Sequence, residues 1–501
     1  MDINPTLGIA LGLSPFLVVA LGAMMLMMAE AFQSGRLRDS GLSSGTTLVF
    51  LCGAAVAMSV WLYGEKNIPG LETLAPWLII DKFSLFFDVI LCLGGALSAL
   101  LAGGYLPEHN LNRGEFYSIL LFSTFGAMML AAAGDTLTVF LGLETMSIGA
   151  YAMTAFRRAS PRSSEGALKY FLLGSFGAAL LVYGFTFLYG ATGHTDLVGI
   201  GIALKAGGVK SPTVVFALIL VLVALAFKVS AVPFHMWTPD AYEGAPTPAT
   251  TYMAVAVKSG GFAMMLRVLL TAFGDPRSMS WSAGWPPVVA WLAVLTMSAA
   301  NMIAGRQESV KRMLAYSSIA HAGYLLVGVV VTMRNEAGGV ASILFYLLVY
   351  TASTAGAFGA LIACGSFGKE AVTYEDLAGV GRRNPAPALA FSLFLFSLAG
   401  IPPTAGFFGK WFLFRGAMDS GFYALTIIAF LNSVVGAYYY LRVLVAMYMR
   451  EPAAGAPVAV PMRSGYVGAA LLLSAMIVLG LGLVPAKSLD LAVQAATSFA
   501  G

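Results

Sequence analysis

Runs of about 20 apolar residues recur along almost the whole of this chain, the length an α-helix needs to cross a hydrocarbon core of ~30 Å. TLTVFLGLETMSIGAYAMTAF (136–156) and FALILVLVALAFKVSAVPFH (216–235) are two of them. Of the 501 residues, 59% are hydrophobic and 10% charged, whereas a soluble domain carries about 25% charged residues. The short alternating segments of a membrane β-barrel are absent. The chain therefore reads as an all-α polytopic membrane protein without a soluble domain. Fourteen transmembrane helices are expected, near 8–31, 46–63, 83–104, 116–133, 136–156, 166–190, 212–235, 249–272, 286–304, 314–333, 340–364, 387–414, 422–447 and 464–484.

Lys and Arg concentrate in the loops of one side. That side holds fourteen in seven loops, among them Arg36, Arg38, Arg157, Arg306 and Arg463; the other holds eight, among them Lys66, Lys205, Lys210 and Lys487. Cytoplasmic loops carry the excess, which places both termini on the outer side. The first arginines follow the first span, so that segment reads as a retained helix rather than a cleaved signal. The net charge of +4 reflects this loop bias and points to no nucleic acid. Cys52, Cys92 and Cys364 stand isolated within spans and read as packing residues, and the four histidines form no paired ligand pattern. No motif for haem, zinc, an iron–sulfur cluster or a nucleotide is present.

Five ionisable side chains interrupt the apolar spans: Glu144, Lys169, Lys228, Lys258 and Lys410. A charge at the bilayer centre costs from about 3 to more than about 10 kcal/mol, so an ion or proton path is the first reading. Glu144 has no loop within easy reach; capping a neighbouring helix is its structural alternative. Lys169 lies three residues into its span, where snorkelling to the headgroups explains it as well as a path does. Lys228 sits five residues before Pro233, and Lys258 is central in TYMAVAVKSGGFAMML; for both the alternative is a structural pair. Lys410 lies in an overlong span from which it also reaches the outer surface near Arg415. Arg267 and Arg442 read as structural, and Asp88 as an interfacial residue near the outer face. An unpaired buried carboxylate would neutralise itself, so Glu144 is expected within ion-pair range of a lysine, Lys228 above all. Ser317, His321 and Tyr324 recur at helical spacing, as do Ser342, Tyr346, Tyr350 and Thr354. Such faces suit a water chain or plain interhelical hydrogen bonding. Histidine titrates nearest neutral pH, which makes His321 the relay candidate.

Pro233 interrupts LAFKVSAVPFHMWTPDAYEG, and Pro402–Pro403 with Gly406 and Gly409 interrupt FSLAGIPPTAGFFGKWFLF. Proline inside a helix removes a hydrogen bond and clashes with the preceding turn, and in lipid the freed carbonyls need other partners. The two broken helices lie five spans apart, an odd offset that reverses their direction. This predicts inverted five-helix repeats with discontinuous helices around a midplane site. The expected organisation is 1–115 (helices 1–3), 116–272 (helices 4–8), 286–447 (helices 9–13) and 464–501 (helix 14 and tail).

The run FKVSAVPFHMWTPDAYEGAPTPATTYMAVAVKSGGF (227–262) resembles the signature block of the proton-conducting membrane family shared by respiratory complex I and Mrp-type antiporters. KRMLAYSSIAHAGYLL (311–326) and LAGIPPTAGFFGKWFLF (398–414) most resemble its subunit N branch, from bacterial NADH–quinone oxidoreductase. The similarity runs from about Asp81 to Arg442; the first two spans carry little of it. The chain stops soon after span fourteen, where relatives with a long lateral helix continue, and it has Lys410 where another paralogue has glutamate. Both differences favour that branch.

The resemblance implies proton-path roles for Glu144, Lys169, Lys228, Lys258, His321 and Lys410, in a bacterial cell inner membrane. It implies no redox centre in this chain. Flavin, iron–sulfur clusters and quinone would belong to partners, the other membrane and peripheral subunits of complex I. A proton would enter from the cytoplasm through Lys169 or polar water contacts, reach Lys228, pass Lys258 and His321 along the midplane, and leave through Lys410. The alternative is a cation/proton antiporter subunit of the Mrp type using the same set. A structural membrane subunit with internally paired charges is a third reading.

Overall fold

The computed structural model describes residues 4–32, 41–207, 211–365, 368–452 and 464–500. Arg36, Arg38, Lys210 and Arg463, used above for orientation, lie outside them. Among the described residues the chain is helical, with isolated bridges in place of strands. Twelve helices among the described residues are long and apolar enough to cross a bilayer. The two other expected spans are interrupted. Pro212–Lys228 is separated from Trp237–Gly244 by residues 229–236, and Pro385–Ala399 from Ala405–Asp419 by residues 400–404. The count of fourteen is reached only by taking each broken helix as one crossing.

Short polar signals start these helices. Asp81 opens Lys82–Glu108 with a capping box: its carboxylate accepts from the Ser84 N–H at 2.8 Å, and Ser84 Oγ accepts from the Asp81 N–H at 3.1 Å. Asp135 accepts from the Leu137 N–H at 2.7 Å at the head of Thr136–Thr154, which lets the chain turn tightly after Glu115–Ala132. Proline occupies the first position of Pro161–Thr192, Pro212–Lys228, Pro286–Ala304 and Pro385–Ala399, where its missing N–H costs nothing.

Lys82–Glu108, Thr247–Ala272, Val310–Val331 and Glu336–Ala363 form the enclosed centre; the apolar stretch of Thr247–Ala272 is 100% buried. Ser14–Phe32, Gly41–Tyr63, Tyr423–Met449 and Gly465–Leu483 surround it and turn side chains such as Met25, Leu48, Phe430 and Leu472 outward. An apolar exterior suits lipid, so polar side chains belong on the shielded central helices. Thr247–Ala272 is irregular there. Met253–Val257 and Arg267–Ala272 are π-helical on either side of Lys258, a wide turn that recurs at functional sites.

Three expectations change. The tail after span fourteen is a helix, Ala486–Ala500, that buries Ala492, Ala495 and Ala496 against Lys82–Glu108 and Glu336–Ala363. Asp88 is not interfacial. It is wholly buried because its helix lies at the centre, and neither carboxylate oxygen has a partner among the described residues. Cys92 and Cys364 are packed, but Cys52 is exposed. Arg267 is structural, donating to Asp81 Oδ1 at 2.6 Å and to the Ala131 carbonyl at 2.7 Å.

Candidate functional site: a buried line of lysines

Lys228 is the last residue of Pro212–Lys228. Beyond it Ser230 adopts φ 63°, and the Ala231 N–H returns to the Ala226 carbonyl at 2.8 Å, a left-handed helix stop. Trp237 Nε1 donates to the Phe227 carbonyl at 3.3 Å, and the Val232 N–H donates to Thr296 Oγ1 at 2.9 Å. These two backbone groups at the break thus find partners inside protein. The Lys228 side chain is buried, and its Nζ donates to Ser147 Oγ at 2.7 Å.

The direct Glu144–Lys228 contact expected above is not formed. Glu144 is half-buried and has no ion pair within 4.0 Å among the described residues, although the two charges interact electrostatically. Helix geometry supplies the reason. Leu137, Leu141 and Ile148 share Glu144's face at helical spacing, and all three are exposed; Ser147 lies on the inner face and takes the lysine.

Lys258 is buried, and its Nζ donates to both the carbonyl and Oγ of Ser318. The Tyr350 hydroxyl donates to the same Oγ at 2.9 Å, and Nζ sits 5.7 Å from the Tyr350 ring centre. One turn further, Gly261 passes the Lys228 stem: a Cβ there would lie 3.3 Å from Lys228 Cγ. The helix carrying Lys258 therefore lies directly against Lys228.

His321 stands between two hydroxyls, Tyr346 at 2.6 Å from Nδ1 and Tyr440 at 3.0 Å from Nε2; Tyr440 also bonds Ser317. Lys410, buried on Ala405–Asp419, donates to the Ala399 carbonyl at 2.9 Å and to Ser433 Oγ at 2.8 Å. Its Nζ lies 5.3 Å from the Tyr324 ring centre. A cavity of about 10 Å³ separates His321 from Lys410, walled by Tyr346, Tyr350, Ser353 and Ser397. Its size is about that of one water molecule.

Lys169 is not part of this line. It sits half-exposed at one end of the bundle, paired with Glu165 at 2.6 Å and Asp240 at 2.7 Å. Asp240 also takes Arg312 at 2.8 Å, which reaches Glu243 at 3.1 Å, around an open polar cavity of about 300 Å³. The structure thus joins Lys258, His321 and Lys410, sets Lys228 beside them, and leaves Glu144 on the outward face.

Sequence reasoning missed a buried charge cluster at that same end. Glu370 accepts from Thr247 Oγ1 at 2.6 Å and from the Tyr105 hydroxyl, and lies 3.5 Å from both Arg157 and Lys311. Burial alone would raise its carboxyl; Lys311 and Arg157 outweigh that and hold it at about 2. Lys311, which precedes the expected span 314–333, is fully buried and also donates to the Ala245 carbonyl at 2.7 Å. The members come from five separate segments, and no spacing links them. Tyr440 was missed as well, being one of three tyrosines in a row.

A family model described as NADH:quinone oxidoreductase/Mrp antiporter, transmembrane, matches residues 133–436. The chain belongs to this family. The matched block contains Glu144, Lys169, Lys228, Lys258, His321, Lys410 and both helix breaks. Among curated family members, NADH-quinone oxidoreductase subunit N 1 of Sorangium cellulosum is 64% identical over 98% of this chain and 99% of its own length. Subunit N of Trichlorobacter lovleyi is 43% identical over 87% of each. A chain of respiratory complex I from Thermus thermophilus with bound aureothin is 32% identical, covers 95% of this chain and 98% of itself, and superposes with a TM-score of 0.76. A chain of the Mrp complex from a Dietzia species is 22% identical, covers 98% and 97%, and has a TM-score of 0.83; that likeness concerns the fold alone.

Proposed function

We propose that the chain is a proton-translocating membrane subunit of the subunit N type in a bacterial NADH:quinone oxidoreductase. Electrons pass from NADH to quinone in partner subunits, which hold the flavin, the iron–sulfur clusters and the quinone. This chain supplies the proton path: Lys169 at the entry, Glu144 biasing Lys228, then Lys258, His321 and Lys410. It lies in the cell inner membrane with both termini on the outer side, as the loop charge bias favours. Residues 116–272 and 286–447 form the inverted repeats, a reading supported by the shared form of their two helix breaks.

One observation carries the reading. Lys228, Lys258 and Lys410 are each bound by neutral oxygens, from Ser147, from Ser318, and from Ala399 with Ser433. Desolvation disfavours a buried ammonium, and a lysine held by hydroxyls and carbonyls releases its proton without baring a carboxylate. Lys169 and Lys311, by contrast, are ion-paired. The Mrp-type alternative rests on the shared family and on likeness of fold.

Lys258→Ala tests the proposal through NADH–quinone turnover and proton uptake in membrane vesicles, with assembly followed on native gels. Removing a buried charge lowers the insertion cost, so the subunit should assemble. Proton uptake should fall by at least about tenfold, a floor under the ~10²–10⁴-fold that a proton-transfer group supplies. Normal uptake in the fully assembled variant overturns the path.

A further inference from the structure

The two hydroxyls on His321 are not equivalent. Tyr346 lines the cavity that also touches Lys410, whereas Tyr440 does not. Tyr346 is buried on Glu336–Ala363, and among the described residues its hydroxyl has one hydrogen-bond partner, His321 Nδ1. Its hydroxyl therefore meets the imidazole while its side chain forms part of the cavity wall. Tyr440, at Nε2, is shared with Ser317.

Resting on the proton path above, we propose that Tyr346 is the carrier that moves the proton from His321 to Lys410. The Nδ1–H bond of protonated His321 breaks as its proton passes to Tyr346 Oη. Tyr346 releases its own hydroxyl proton to a water in the cavity, and that water gives one proton to neutral Lys410 Nζ. One N–H bond is lost at His321 and one is gained at Lys410. The tyrosine and the water each exchange one O–H bond for another, so no phenolate forms and no co-reactant is required. His321 is loaded at Nε2 from the Tyr440 side. Loading at Nε2 and unloading at Nδ1 leave the opposite neutral tautomer, and the first is restored when the remaining proton moves from Nε2 to Nδ1 through bridging water.

Two substitutions test the carrier role in assembled enzyme. Tyr346→Phe keeps the ring and removes the hydroxyl; proton uptake per NADH should fall by about fivefold or more, a lower bound set well under the ~10²–10⁴-fold that a proton-transfer group supplies. Placing 3,5-difluorotyrosine at position 346 keeps size and hydroxyl but makes the phenol more acidic, so the pH profile of proton uptake should shift. A hydroxyl that only packs would leave that profile where it is. Uptake within about twofold of wild type in Tyr346→Phe, or an unmoved profile in the fluorinated protein, overturns the carrier role. If Tyr346→Phe does not assemble, the fluorinated protein decides. Lys258→Ala in the same preparations separates the two claims. If it pumps normally the whole path falls, and if it is silent while Tyr346→Phe pumps normally only the carrier falls.

Discussion

The two broken helices stop in the same way and use the stop differently. Ser230 takes φ 63° and Gly400 takes φ 84°, each three residues before the proline of a cis bond, Val232–Pro233 or Pro402–Pro403. In each, the next N–H reaches back five residues, Ala231 to Ala226 at 2.8 Å and Ile401 to Phe396 at 3.0 Å. The lysines then diverge. Lys228 precedes its break, and Trp237 adds a second donor to the Phe227 carbonyl, which also accepts from the Ser230 N–H at 3.1 Å. Lys410 follows its break and itself binds the freed Ala399 carbonyl. The first lysine is independent of the backbone stop beside it, while the second is part of it. One motif thus yields a lysine with a single task and a lysine with two.

Alanine at each lysine gives the largest expected effect. Lys228→Ala and Lys410→Ala should each lower proton uptake by about tenfold or more, and Lys228→Arg should not restore it because arginine stays charged. Stability should separate the two. Without Lys228, Ser147 Oγ keeps its bond to the Leu143 carbonyl, so nothing is orphaned. Without Lys410, the Ala399 carbonyl loses its partner, a loss of about 1–3 kcal/mol. Thermal unfolding of the purified enzyme should therefore show a lower midpoint for Lys410→Ala alone. Equal midpoints would break the comparison.

The anchors of the two broken helices differ too. Asp240, on the segment after the first break, is held by Lys169 and Arg312 beside an open cavity, and partly exposed pairs contribute about 0–1 kcal/mol. Glu370, in the loop leading to the second broken helix, is buried between Arg157 and Lys311. Its carboxyl sits at about 2 against an ordinary 4.5. A depressed carboxyl stabilises fully above its unfolded value and loses that contribution as pH falls through the folded one. Glu370→Gln should thus cost on the order of 3 kcal/mol at neutral pH, whereas Asp240→Asn should cost under about 1. Acid titration of thermal stability checks the sign. Part of the wild-type decline between pH 4.5 and 2 belongs to Glu370, so the Gln variant should decline less over that window.

The contrast between these anchors also shows what a single sequence exposes. Each membrane-spanning helix and each break announced itself through local chemistry: apolar length, Pro233 and Pro402–Pro403; the tail helix Ala486–Ala500 did not. Lys228, Lys258 and Lys410 were legible because a charge inside an apolar run is anomalous wherever it packs. Which face a residue takes, and what crosses it, was not legible. Glu144 is half-buried on a face whose Leu137, Leu141 and Ile148 are exposed, and Asp88 is enclosed because its helix lies at the centre. Glu370 gathers partners from positions 105, 157, 247 and 311, a convergence that only tertiary packing creates.

The smallest expected effect tests whether the two stops are equivalent in their backbone. Gly400 meets two demands: a left-handed φ of 84°, and a Cβ position 2.9 Å from Lys410 Cδ. Gly400→Ala should cost about 1–2 kcal/mol for the left-handed conformation alone. The added methyl also displaces the Lys410 stem, so proton uptake should fall with stability. Ser230 already holds the left-handed conformation as a non-glycine residue, and its Oγ accepts from Thr238 Oγ1 at 2.8 Å. Ser230→Gly relieves the strain but gives up that hydrogen bond, two terms of about 1 kcal/mol and opposite sign. Its net effect should be close to zero, with uptake unchanged because Lys228 lies on the other side of the stop. Midpoints and uptake for the two variants, measured side by side, check the asymmetry. A Gly400→Ala enzyme as stable and as active as wild type would mean that Lys410 does not depend on the shape of its break, and its second task would have to be withdrawn.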